Sequence, residues 1–239
     1  MNIFVYDGFL DKYKKTVRRV EENLNKLKLQ GKIIYLRDVK NLKSSLESEI
    51  NMGAKTIITV GNNETVNRII GILSNISEKI PLAIIPVGPN NSIAQSLGIS
   101  NEKDACYILS GRRVEKIKLA QTSSSFFINN AKIKSSGTSI YIDGSYKLFP
   151  QKSGECTIYN LPPEKPIFDH INVDPQDNLL NLCIDMGGKR KTHLLAKKIE
   201  IKNEKHKIVL DDSIEINCPE EMSISGNSIP LIVGKERKF

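Results

Sequence analysis

The 239 residues predict an α/β protein: a parallel sheet flanked by helices in an N-terminal domain, followed by an antiparallel β-sandwich-like C-terminal domain. Three observations lead there. Through Ser110, short β-rich apolar runs alternate with segments of helical spacing, joined by connections of a few residues, as in βαβ units on a parallel sheet. After Gly111 the apolar period changes to two. Between residues 56 and 99 one device occurs twice: an apolar run (56–60, then 82–87) breaks at Gly61 or Gly88, passes polar turn residues and opens an amphipathic helix. In a parallel sheet such turns lie at the carboxyl ends of the strands. There helix N-termini direct unpaired N–H groups and partial positive charge into one crevice, a natural phosphate site.

Taken in order, residues 2–6 (NIFVY) form the first strand and Asp7-Gly8 its turn. A long helix over about 10–29 follows, because Tyr13, Val17, Val20, Leu24 and Leu27 recur at steps of four and three, with Gly31 as its stop. Residues 32–36 (KIIYL) are the second strand; 42–52 is a helix with Leu42, Leu46 and Ile50 on one face, ended by Gly53. Strand 56–60, a helix at 64–74 burying Val66, Ile69, Ile70 and Leu73, strand 82–87 and short helices at 91–97 and 102–109 complete the alternation. A β run with Val114, Ile117 and Leu119 then precedes SFFIN, SIYID, CTIYNL, LLNLCI, KKIEIK and HKIVL. Asp143-Gly144, Lys152-Ser153-Gly154 and Leu161-Pro162-Pro163 are among the turns between them. The expected domains are 1–112 and 113–239, with the last segment returning toward the cleft between them.

With 39% hydrophobic and 26% charged residues, the chain can bury a full core. No apolar run approaches the roughly 20 residues of a spanning helix, and Met1 leads directly into strand-like sequence without a basic leader, so a cytoplasmic protein is expected. Cys106, Cys156, Cys183 and Cys218 have no paired spacing and read as reduced core thiols. His170, His193 and His206 have no ligand spacing either and read as surface or strand residues.

A net charge of +8 and a pI near 9.2 point to an anionic partner, whether nucleic acid, membrane or nucleotide. The densest region is 187–210, where Lys189, Arg190, Lys191, Lys197, Lys198, Lys202, Lys205 and Lys207 face only Glu200 and Glu204. It reads as a solvated strand face, with a lipid headgroup contact as the alternative. Nucleic-acid binding has the charge but no motif, with 6% aromatic residues and no Trp. There is no Gly-x-Ser-x-Gly or Walker-type sequence. No motif sets an oligomeric state.

At its two turns the chain resembles the diacylglycerol kinase and bacterial lipid kinase family, whose cousins include the NAD kinases. The family's first turn, Gly-Gly-Asp-Gly-Thr with Asn two residues on, stands here as Gly61-Asn62-Asn63-Glu64-Thr65-Val66-Asn67. Its second, Ile-Pro-x-Gly-Thr-x-Asn-Asp-Phe-Ala ending in Ser-Leu-Gly, stands as Ile85-Pro86-Val87-Gly88-Pro89-Asn90-Asn91-Ser92-Ile93-Ala94, closing with Ser96-Leu97-Gly98. Asn63 thus occupies the position of the family's first-turn acid, and Ser92 that of the later one. After strand one the family carries Asn-Pro and a glycine, part of its nucleotide pocket; here Tyr6-Asp7-Gly8-Phe9 takes that place.

The resemblance implies ATP and magnesium as cofactors. Gly61, Asn62, Asn63, Glu64, Thr65, Asn67, Gly88 and Asn91 then stand at the nucleotide. Asp177, in Asp177-Asn178-Leu179-Leu180, stands at the metal-binding loop, as a magnesium ligand or a turn former. The family's general base is the Glu of Asp-Gly-Glu, and the matching segment is Ser225-Gly226-Asn227, whose amide has negligible proton affinity at pH 7. At the first turn, Asn62 and Glu64 replace glycines that let a backbone approach phosphate. Asn63 reads as a helix cap and Glu64 as the anion complementing the helix dipole, with a role in chemistry as the alternative.

The reading is therefore a lipid-kinase-like protein that keeps the ligand-binding cleft but is catalytically impaired, a pseudokinase in which no catalytic residue of the family is identified. One alternative is an active ATP- and magnesium-dependent kinase for a lipid hydroxyl; another is a basic membrane- or protein-interaction module. Nucleotide and an anionic lipid or membrane surface are the partners considered, with a cytoplasmic location that includes the membrane periphery.

Overall fold

The computed structural model describes residues 1–163, 172–186 and 191–239, and the chain divides into two units, Met1–Ile117 with Ile229–Lys238, and Lys118–Ser228. In the first unit, β2 (Gly31–Tyr35), β1 (Asn2–Tyr6), β3 (Thr56–Gly61) and β4 (Leu82–Pro86) lie side by side in that order, all parallel. Every residue of β1, β3 and β4 is buried, which is why these runs are continuously apolar instead of alternating. β2 is the edge, where only Ile34 is buried. Helices α1 (Lys14–Lys26), α2 (Leu42–Asn51), α3 (Asn63–Leu73), α4 (Ser92–Ser96) and α5 (Glu102–Gly111) alternate with these strands in the chain. A late strand, Glu220–Ile232, pairs with β4 in parallel at Leu231 opposite Leu82.

The helix expected over 10–29 is divided. Gly8–Tyr13 forms a 3-10 turn capped by Asp7, whose Oδ1 accepts the Phe9 N–H (3.2 Å), so α1 begins only at Lys14. Its stop is also different from the one expected. The Leu29 N–H donates to Leu24 O (2.9 Å) and the Lys28 N–H to Asn25 O (3.0 Å), with Lys28 at φ 55°. A lysine therefore takes the left-handed cap position that glycine usually fills. Gly31 instead opens β2, where a β-carbon would lie 2.3 Å from Asn2 O. Gly53 does end α2, at φ 89°.

The second unit is antiparallel β. Along the chain run β5 (Val114–Gln121), β6 (Phe126–Phe127), β7 (Asn130–Lys134), β8 (Ser139–Ile142), β9 (Tyr146–Leu148), β10 (Glu155–Tyr159), β11 (Leu180–Asp185), β12 (Lys191–Ala196), β13 (Lys198–Lys202), β14 (Ile208–Leu210) and β15 (Ile214–Ile216), then β16, the late strand. One sheet has the order β12-β11-β10-β7-β14-β15; in another, β9, β8, β13 and residues 220–223 of β16 are antiparallel neighbours. Ile133, Ile158 and Leu182 from the first share one buried cluster with Ile140, Ile199 and Met222 from the second, a sandwich-like core. Among the described residues no helix follows Gly111. Strands β7, β9, β12, β15 and β16 are not among the runs read from the sequence; β9 and β15 have three residues each, and β7 alternates around Lys132 and Lys134 while pairing on both sides, with β10 and β14.

Asp211 anchors this unit. Its side chain is fully buried and accepts the N–H groups of Ile128 (2.9 Å), Asn129 (2.8 Å) and Asn130 (2.9 Å). Burial pushes its carboxyl up to about 6 in spite of those three donors. All four cysteines are free thiols; Cys106, Cys156 and Cys183 are inert core residues, burial raising Cys106 and Cys183 to about 11 and Cys156 to about 12, while Cys218 is partly buried.

Four of the six described lysines in the basic stretch 187–210 are in ion pairs. Lys191 meets Asp185 (3.6 Å), Lys198 meets Glu221 (2.7 Å), Lys202 meets Glu200 (2.9 Å) and Lys207 meets Glu215 (3.0 Å). Gly187, Lys189 and Arg190, like His170, lie outside the described residues. Residues 118–228 hold fourteen Lys and Arg and fourteen Asp and Glu, so the whole excess of +8 belongs to the first unit. What the one-dimensional sequence conceals is that antiparallel neighbours bring acids from outside the stretch, Asp185, Glu215 and Glu221, to three of those lysines.

Candidate functional site

The residues singled out at the two turns converge in the first unit. Gly61 ends β3 tightly against α3: a β-carbon there would sit 2.3 Å from Thr65 Oγ1. The cap of α3 is Asn62, not Asn63. Asn62 Oδ1 accepts the Thr65 N–H (3.3 Å), and its backbone O accepts the Val66 N–H (3.0 Å). The Thr65 hydroxyl in turn donates to Asp7 Oδ2 (2.8 Å), tying this turn to the one after β1.

Asn63 is the first residue of α3 and is 1% exposed. It bridges the turns: Nδ2 donates to Ser92 Oγ (2.8 Å), Oδ1 accepts the Ile93 N–H (3.2 Å), and the Asn63 N–H donates to Asn90 O (2.9 Å). The pattern Asn-Asn could not tell which of the two caps; the residue one step from the strand end does, because its backbone is still extended (φ −108°, ψ −171°) and its side chain reaches the N–H three residues on.

Glu64 is exposed in the first turn of α3, where it complements the dipole as expected, and Asn67 is buried a turn further on. At the second turn Gly88 has φ 83°, and a β-carbon would meet Phe9 Cε2 at 2.9 Å and Tyr13 Cε2 at 3.3 Å. Asn91 Nδ2 closes this turn on Gly88 O (2.7 Å), and Asn90 adopts φ 61°. Phe9 and Tyr13 pack edge to face, centroids 5.9 Å apart. The helical stripe placed Tyr13 on the core face of α1; its place against Gly88 and the Asp7–Thr65 bond had no signal in the spacing.

The donors of the α3 N-terminus are therefore mostly committed. Asn63 N–H has Asn90 O and Thr65 N–H has Asn62 Oδ1; of the first-turn amides, only that of Glu64 lacks an acceptor among the described residues.

Asp177 and Asn227 lie in the second unit. Asp177 Oδ1 accepts the Leu179 N–H (2.8 Å) as a turn former, and burial raises its carboxyl above the ordinary value. The Asn227 N–H donates to Ser225 Oγ (3.1 Å) within β16. Among the described residues no three His, Cys, Asp or Glu gather to hold a metal. The side chains present do not form a protein cage for magnesium, which would depend on one carboxylate with phosphate and water. His193 Nε2 pairs with Asn181 Oδ1 (2.9 Å) and its pKa is lowered by burial, consistent with a strand residue.

Residues 9–122 match the family model of the diacylglycerol kinase catalytic domain. The resemblance carried by the two turns holds. No curated protein sequence matches the chain. Among solved structures, a diacylglycerol kinase from Bacillus anthracis str. Sterne superposes with a TM-score of 0.72 at 18% identity, covering 98% of this chain and 97% of that one. An NAD kinase from Archaeoglobus fulgidus in complex with ATP superposes with a TM-score of 0.59 at 16% identity, covering 100% and 96%. At these identities the likeness is one of fold, and the fold is that of the NAD-kinase-like lipid kinases.

Proposed function

We propose that this chain is a diacylglycerol-kinase-type protein whose nucleotide site has been altered into a catalytically impaired, pseudokinase form acting at the cytoplasmic periphery of a membrane. The single observation that carries the reading is the commitment of the first turn's own donors. A phosphate at a helix N-terminus is held by unpaired N–H groups and by the dipole. In this chain Asn62 and Asn90 already take two of those N–H groups, and Glu64 adds an exposed carboxylate to the same first turn. A like charge within about 4 Å costs on the order of 1 kcal/mol in water and several times more in a partly desolvated site.

The missing acids support the same reading. Phosphoryl transfer needs charge stabilisation and a base to orient the acceptor hydroxyl. Asn63 and Ser92 form a neutral amide–hydroxyl pair at the family's two acidic positions, and Asn227 stands at the base. The ATP complex of the NAD kinase neighbour makes a nucleotide a plausible partner for the fold. Incubation with labelled ATP, magnesium and a panel of lipid hydroxyl acceptors tests the proposal. No transfer above background is expected; turnover of a diacylglycerol would overturn it.

A further inference from the structure

A basic patch of the first unit borders α5, with Lys103 in its first turn and Arg112, Arg113 and Lys116 beyond its last. Residues 103–116 and 235–238 carry seven cations and three carboxylates, half of the chain's net charge of +8. Two of those carboxylates are engaged: Asp104 Oδ2 accepts from Asn101 Nδ2 (2.7 Å), and Glu115 pairs with Arg237 (2.8 Å). Lys103, Arg112, Arg113, Lys116 and Lys235 are all exposed and make no ion pair among the described residues. This contrasts with the lysines of 191–207, four of which are paired.

Apolar surface lies among these cations. Tyr107 is 53% exposed and Val114 42% exposed. Beside them is a concavity of 410 Å³ lined by Tyr107, Ile108 and Val233, with Arg113 and Lys235 as its cations and Asp104 and Glu236 as its carboxylates. That mixture does not suit a small anion sitting inside the concavity, since its own charges balance. It suits a surface that is anionic outside and apolar beneath. Exposed Arg and Lys reach headgroups while their stems lie along hydrocarbon, and a tyrosine with an apolar body and polar tip sits at the interface.

We propose that the Tyr107–Val114 end of α5, with the segment 233–238, is a docking surface for an anionic lipid bilayer. Arg112, Arg113, Lys116 and Lys235 contact headgroups, Tyr107 and Val114 enter the interface, and the concavity receives apolar lipid. The proposal deepens the membrane reading above and is independent of nucleotide binding.

The test is co-sedimentation, without nucleotide, with vesicles of phosphatidylcholine alone and of phosphatidylcholine mixed with phosphatidylglycerol. The wild type should bind only the mixed vesicles and lose binding steeply with added salt. Each basic side chain near an anionic surface contributes roughly fivefold, so Arg112→Gln with Arg113→Gln should lower the partition coefficient roughly twenty- to thirtyfold. Tyr107→Ala should lower it several-fold, while Lys198→Gln with Lys207→Gln, on the paired strands, should leave it unchanged. Circular dichroism checks that each variant is folded, and Lys116→Gln with Lys235→Gln repeats the test should the first pair fail it. Wild-type protein that ignores anionic vesicles, binds neutral ones equally, or binds duplex DNA in preference to vesicles would overturn the proposal. So would a folded charge variant that partitions like the wild type. A failure here leaves the labelled-ATP test of impaired catalysis untouched.

Discussion

Removing the Asn63 side chain should loosen both turns at once. In Asn63→Ala the Ile93 N–H, on a residue 0% exposed, loses the acceptor 3.2 Å away, and an orphaned buried donor costs about 1–3 kcal/mol. Ser92 Oγ loses its 2.8 Å partner, a further cost of about 1 kcal/mol for a neutral bond. Alanine returns about 0.5 kcal/mol of helix propensity at this position. The net expectation is a loss of about 2–3 kcal/mol. Asn63→Asp is the informative companion. A carboxylate can accept from both Ile93 N–H and a rotated Ser92 hydroxyl, and it lies at a helix N-terminus, so it should cost no more than about 1 kcal/mol in spite of its burial. The helices all lie in the first unit among the described residues, so urea unfolding followed by circular dichroism at 222 nm reads that unit. An Asn63→Ala midpoint within error of the wild type, or an aspartate variant as damaged as the alanine one, would refute the bridge.

Three further outcomes are expected. Gly88→Ala places a β-carbon 2.9 Å from Phe9 Cε2 on a backbone at φ 83°, and should cost about 1–3 kcal/mol in thermal unfolding; a neutral effect would show that the aromatic pair does not rest on the turn. Lys28→Gly should raise stability by about 0.5 kcal/mol, because the left-handed cap penalises a β-carbon more than glycine penalises the unfolded chain. Asp211, with a folded value near 6 above its ordinary 3.8, contributes most stability below pH 4 and loses it as pH rises through about 6. A carboxyl carbon shift for Asp211 that titrates at or below 4 would contradict that order.

Where local pattern and burial coincide, the fold is legible from residues alone. β1, β3 and β4 are apolar runs because both faces are covered, and Gly53 ends α2 as its position indicates. The pattern misleads where tertiary contact decides. Tyr13 continues the α1 period in sequence, yet Asp7 holds the preceding turn in a 3-10 form and the ring packs at Gly88. Gly31 resembles a helix stop because a glycine after a helix usually is one; its reason is the approach of Asn2 O. The basic run 187–210 misleads in another way, since its counter-ions arrive from Asp185, Glu215 and Glu221 on neighbouring strands.

The candidate site divides along the same line. Its membership was readable, because turn residues between a strand and a helix announce themselves. Its wiring was not: that Asn62 caps α3, that Asn63 reaches Ser92 and Ile93, and that Thr65 donates to Asp7 across 58 residues depend on how two turns approach.

Calorimetric titration with ATP–magnesium of the wild type and of the double variant Asn62→Gly, Glu64→Gly tests the central claim most directly. The double variant frees the Thr65 N–H and removes the Glu64 charge, at a stability cost of about 0.5–1.5 kcal/mol for the lost dipole partner and two flexible residues. The account predicts a wild-type Kd weaker than about 1 mM, with at least a tenfold gain in the variant. Micromolar binding by the unmodified protein, or no gain from the two substitutions, would contradict it.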